Sequence, residues 1–219
     1  MDRVLVVGAG GLGRELMLYL QDLRAHGAEF EIAGFLDDNP DALAGVETSA
    51  SILGSIERHD PRPSERFVIG VGNPALRHRF ATMLTRRGAK YQTIVHPNSW
   101  VAPGVRLGEG CILAPFTFIG PGAVLEEHVL LNCFASVGHD SHVARCTVFS
   151  PYSVINGESS LGQQVFLGTH ATVVTGKTVG AYSKFSAGSV ALRDVPAGSL
   201  VSGNPAKSRV MFSIPPDES

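Results

Sequence analysis

His139 and Asp140 stand side by side in SVGHDSH (136–142), a stretch otherwise suited to packing. A carboxylate beside an imidazole favours the cation, which makes the neutral ring a better base. A positioned base contributes roughly 10²–10⁴-fold to a transfer in which a nucleophile must lose a proton. A second centre is Gly8-x-Gly10-x-x-Gly13, after the apolar run VLVV, with the acidic pair Asp37 and Asp38 further along. Glycines at that spacing let backbone amides and a helix N-terminus approach a phosphate, and acidic residues can accept from a ribose or base.

Two kinds of element must position these groups. Over residues 1–94, strand and helix signals alternate. VLVV (4–7) reads as a strand, EIAGFLDDNP (31–40) as a second strand ending in an acidic turn, RFVIGVGNP (66–74) as a third strand and loop, and YQTIVHP (91–97) as a fourth strand. Leu12, Leu16, Leu20 and Leu23 predict one helix stopped by Gly27. Leu76, Phe80 and Leu84 predict another, closed by Gly88. This order indicates a small parallel sheet with helices on its faces, a Rossmann-like α/β domain.

From about residue 98 the period becomes six. Every sixth residue from Val101 through Leu107, Leu113 and onward to Phe185 is Val, Leu, Ile or Phe, and Ala191 ends the register. The position after each is often glycine or alanine, and the fifth is mostly small. Such a unit is too short to be helical and fits a parallel β-solenoid, here assigned to residues 95–219. His139 takes the third place of its hexad, near a corner, and should face outward.

The 219 residues are 44% hydrophobic and 17% charged, with net charge −2. No basic aromatic cluster suggests a nucleic-acid partner. No run approaches the ~18 apolar residues of a membrane span, so no membrane insertion is expected. Cys111, Cys133 and Cys146 show no CxxC spacing and read as packing residues in a reduced cytoplasmic setting.

The order VLVVGAGGLGRE, FLDD, VGNPALR, uninterrupted hexads, NCFASVGHDS and VSGNPAK resembles the bacterial sugar acetyltransferases of the bacillosamine, perosamine and sialic-acid type. The likeness covers nearly the whole chain. It implies a left-handed parallel β-helix of triangular coils, a homotrimer, and acetyl-CoA as acyl donor. The acceptor it implies is the amino group of a nucleotide-linked amino deoxy sugar, with sialic-acid-type O-transfer or a non-catalytic nucleotide-sugar binder as alternatives. His139 then matches the catalytic base and Asp140 its acidic support. Gly157, three hexads and so one coil onward, matches the oxyanion position at the thioester, and Asn132 an acceptor-orienting residue. Gly10, Gly11, Leu12, Asp37, Asp38 and Gly72 match nucleotide-sugar contacts. Val148, Gly157, Thr169 and Ala187 match coenzyme contacts, and Lys207 in GNPAK is assigned to the 3′-phosphate. Two departures stand out: Leu12 and Val148 occupy places where histidines are common. Two other chemistries fit less well. An NAD-dependent reading of the glycine loop meets only half of a dinucleotide-binding unit and no hydride-transfer site. His139, His142 and His170 lack the spacing of the zinc-binding hexapeptide proteins, so no metal is expected.

Overall fold

The computed structural model describes residues 1–48 and 50–214. The N-terminal part is a four-stranded sheet in which every paired strand is parallel, in the order β3-β2-β1-β4. Its strands are β1 (Arg3–Val7), β2 (Glu31–Leu36), β3 (Ile52–Gly54) and β4 (Glu65–Ile69). Helix α1 (Gly11–Ala25) follows β1 and α2 (Pro74–Arg86) follows β4.

Two expectations for this part are corrected. The segment 91–97 is not a fourth strand of this sheet. Tyr91 makes one bridge to Phe67, and Ile94–Val95 pairs instead with Ile112–Leu113 as the first solenoid strand. The fourth strand is the short β3, which carries little periodic signal. On α2, Leu76 is exposed and the neighbouring Arg77 is fully buried.

The solenoid runs in short strands from β5 (Ile94–Val95) to β21 (Val190–Ala191). Strands on successive coils pair in parallel, with Ser136 beside Val154 and Phe149 beside Leu167. This is the β-helix expected from the hexads. The first face contains Ile94, Ile112, Leu130, Val148, Phe166 and Lys184; the second, Trp100, Phe118, Ser136, Val154, Thr172 and Val190. The third contains Arg106, Val124, His142, Ser160 and Thr178. These are the outward residues; the inward partners, such as Val137, Phe149 and Ile155, are buried in one continuous core, against which Val95, Val101 and Leu107 of the first coil are partly buried.

The local sequence rules now have causes. Fifth-position hydroxyls point inward and tie successive coils, as Ser141 Oγ donates to Asn156 O at 3.2 Å and Thr147 Oγ1 to Gly162 O at 3.0 Å. Small second positions are required because the next coil lies against them: a Cβ at Gly120 would fall 2.6 Å from His139 N. The fourth position turns the corner in the left-handed backbone region, even at Phe116, Asp140 and Tyr152.

The N-terminal sheet and α1 pack on the first face, where Ile94, Ile112, Leu130 and Val148 share a core with Leu16, Met17 and Leu20. Arg77 crosses the same junction. Its Nε donates to His128 O and its Nη1 to Ile69 O, both at 2.6 Å.

Candidate active site

His139 sits on the corner between the second and third faces, half exposed at 53%. Its Nδ1 lies 2.8 Å from Asp140 Oδ2. With the proton on Nδ1 the ring donates to that carboxylate, leaving Nε2 as the basic nitrogen. That nitrogen lies over Gly157 on the next coil: a Cβ there would overlap the ring, at 2.7 Å from both Cδ2 and Cε1. Glycine is therefore a steric requirement at this place. The third-position amide of this fold is aimed where an outside acceptor can reach it. At Arg145, the equivalent N–H donates to the Glu126 carboxylate at 2.9 Å. An open cleft of about 390 Å³ surrounds the pair, lined also by Phe118, Pro121, Ser136, Asn156 and Thr175. Sequence reading missed Pro121 and Thr175. The coil step could have found both, since Pro121 lies one coil before His139 and Thr175 one coil after Gly157.

The glycine loop is built as its spacing suggests. Gly13 passes so close to Gly8 O that a side chain is excluded, while Gly10 and Gly11 border open space. The α1 N-cap, Gly10, makes no side-chain cap hydrogen bond and the first turn holds no acid. By contrast, α2 is capped by Asn73 Oδ1, which accepts from Ala75 N and Leu76 N at 3.0 and 3.1 Å. The α1 terminus is thus the one suited to an anion. Gly72 faces Leu12, whose Cδ2 lies 3.9 Å from a Cβ placed there. Asp37 accepts from Ala9 N at 2.7 Å, fastening the loop to the end of β2. Asp38 accepts from Ser55 Oγ at 2.5 Å and Glu57 N at 3.2 Å. Burial alone would raise the Asp38 carboxyl, but these hydrogen bonds and nearby Arg79 hold it below the usual range. Both acids therefore also organise the loop they flank.

Known proteins resemble this chain throughout. Residues 3–84 match the PglD N-terminal domain family. GDP-perosamine N-acetyltransferase of Escherichia coli O157:H7 is 28% identical over 211 residues, covering 92% of this chain and 94% of that protein. The acetyltransferase domain of PglB from Neisseria gonorrhoeae FA1090, solved with acetyl coenzyme A, is 28% identical. It superposes with a TM-score of 0.84, covering 95% of this chain and 99% of that one. A mutant perosamine N-acetyltransferase from Caulobacter crescentus, solved with CoA and GDP-perosamine, is 27% identical with a TM-score of 0.83, covering 95% and 97%. The chain is an acetyltransferase, similar over nearly its whole length to sugar acetyltransferases of the hexapeptide-repeat type.

In this acetyltransferase the remaining candidates divide by edge. Asn132, Thr169 and Ala187 lie on the corner between the first and second faces, across the second face from His139, Asp140 and Gly157. Asn132 Nδ2 donates to Phe149 O at 2.7 Å, so its amide is partly committed to the coil. Val148 is corrected. It is 1% exposed, sealed between the first face and the N-terminal domain, and cannot touch a coenzyme. Lys207 lies in the terminal hairpin of β22 (Ser199–Gly203) and β23 (Ala206–Val210), opposite Ser202. His142 pairs with Glu126 on the third face at 3.0 Å, and His170 stacks on Tyr152 at the opposite corner. The three histidines weighed for zinc thus lie on separate parts of the solenoid. Among the described residues, no group of three His, Cys, Asp or Glu could hold a metal.

Proposed function

We propose that this enzyme transfers the acetyl group of acetyl-CoA to the amino group of a nucleotide-linked amino deoxy sugar. The observation that carries the proposal is His139 Nε2 lying over Gly157, with Nδ1 held by Asp140. The amine nitrogen attacks the thioester carbonyl, and His139 Nε2 accepts its proton. The carbonyl oxygen becomes an oxyanion against the Gly157 N–H. The C–S bond then breaks, the carbonyl re-forms, and the thiolate leaves and is protonated from His139. No covalent enzyme intermediate forms.

Residues 1–94 carry the nucleotide-sugar domain and 95–219 the transfer domain, the boundary falling within the first solenoid strand, Ile94–Val95. Gly10, Gly11, Leu12 and Gly72 hold the diphosphate region, and Asp37 and Asp38 the nucleoside. The GDP-perosamine complex of the Caulobacter relative supports an acceptor of this class. Asn132 orients the acceptor, and Thr169, Ala187 and Lys207 hold the coenzyme.

The working form is a homotrimer in the cytoplasm. Two features support the trimer. The second face exposes Trp100 and Phe118, stacked at 4.7 Å, beside half-buried Val154 and Val190. The candidate residues also flank that face on both edges. Threefold packing lets the His139 edge of one subunit meet the Thr169 edge of its neighbour. No helix among the described residues is long and apolar enough to cross a membrane.

A thermal-shift panel with a transfer assay tests this reading. Acetyl-CoA and one nucleotide-linked amino sugar each raise Tm, and together they give N-acetylated product and free thiol. Transfer only to a sugar hydroxyl would overturn the N-transfer assignment.

A further inference from the structure

The corner between the first and second faces carries a column of stacked rings. Phe116, Phe134, Tyr152 and His170 follow one per coil, with centroids 5.0, 4.7 and 4.9 Å apart and planes within 15° of parallel. Each sits in the left-handed region at φ 58–63°. The N–H groups of Phe134, Tyr152 and His170 donate at 3.2 Å to the carbonyls of Pro115, Cys133 and Pro151, each on the preceding coil.

Gly188 continues the column in every backbone respect. Its φ is 71°. Its N–H donates at 2.8 Å to Thr169 O, again on the preceding coil. It is the fifth rung without a ring. Among the described residues, and apart from its own chain neighbours, no heavy atom lies within 4 Å of a Cβ placed there. The far face of His170 therefore looks into room for one more flat ring.

We propose that this face of His170 stacks the adenine of the coenzyme, which lies over Gly188 as the fifth ring of the column. The inference rests on the acetyl-CoA reading above and adds to it a specific platform. Three observations direct the choice of ring. The rung spacing fits an offset stack of planar rings. The flanking residues Thr169 and Ala187 are exposed. Strand β22 pairs in parallel with Lys184–Phe185, so its continuation carries the turn at Asn204–Pro205 and then Lys207 along the same end. A phosphate-bearing adenosine needs such a cation. The base of the acceptor nucleotide is placed elsewhere, because the glycine loop belongs to the domain packed on the first face.

The experiment compares kcat/KM for acetyl-CoA with that for S-acetyl-pantetheine, which lacks the adenosine. Removing a ring that stacks a base weakens binding by roughly ten-fold. His170→Ala should lower the acetyl-CoA to S-acetyl-pantetheine ratio about that much, and His170→Phe should retain it. Gly188→Tyr, which supplies the fifth ring from the protein, should lower the ratio at least as far. An unchanged ratio in both His170→Ala and Gly188→Tyr, with wild-type turnover of acetyl-CoA, would overturn the platform alone. Absence of transfer from either donor in the wild-type protein would overturn the acetyl-CoA reading and the platform with it.

Discussion

His139 and Gly157 are a matched pair on successive coils: the imidazole lies where any side chain at 157 would have to be. Gly157→Ala should therefore displace the base or block the amide while leaving the fold intact. The Gly157 backbone is outside the left-handed region, so alanine introduces no backbone strain there. Loss of one oxyanion donor costs about 10²–10³ in kcat. Steady-state kinetics should show a fall of about 10²-fold with little change in Tm.

Asp140→Asn removes the charge 2.8 Å from His139 Nδ1 but keeps a hydrogen-bonding side chain. The corner φ here is 54°. Asparagine tolerates that left-handed backbone well. The expected result is a kcat lowered about ten-fold, since orientation and the charge supporting the imidazolium are only partly replaced. An Asp140→Asn enzyme at full kcat would remove Asp140 from the mechanism.

The hexad pattern was legible because one inward apolar place and one inward small place per hexad follow directly from a coil around a narrow core. The His139–Gly157 pair was legible through the three-hexad coil step. Other features were not. Left-handed corners at Phe116 or Tyr152 run against the preference of L-residues. Only their glycine equivalents, such as Gly104, Gly122 and Gly188, hint at them. The burial of Arg77 breaks the Leu76–Phe80–Leu84 pattern because α2 touches the solenoid as well as its own sheet. Carbonyls at His128, Ile69 and Val71 converge on that guanidinium. The place of Val148 was hidden for a similar reason. Its coil position is clear from the register, but the domain covering the first face is not.

Stability should depend on His128. Burial, with further contributions from Arg77 and His78, pushes its pKa down to about 3 from the usual 6.5. Above pH 6.5 the ring is neutral in both folded and unfolded chains. As pH falls from 6.5 toward 3, only the unfolded chain gains the proton, so folding weakens by up to about 1.4 kcal/mol per pH unit. His128→Asn removes this titration and suits the left-handed corner at this position. Thermal melts at pH 7 and pH 5 should show a smaller Tm drop for the variant than for wild type.

The second face gives a prediction about assembly. Trp100→Glu with Val190→Glu places two charges on the surface proposed to join subunits. Sedimentation velocity should show a trimer for wild type and monomer for the double variant, with activity falling because one wall of each groove is lost. A fully active wild-type monomer would contradict the shared groove.

The most direct measurement is the turnover of His139→Ala with acetyl-CoA and a nucleotide-linked amino sugar such as GDP-perosamine. The side chain is half exposed, so the variant should fold with an unchanged Tm. General-base catalysis by His139 predicts kcat lower by about 10²–10⁴-fold, with KM for both substrates little changed. Transfer at a rate near wild type would contradict His139 as the base.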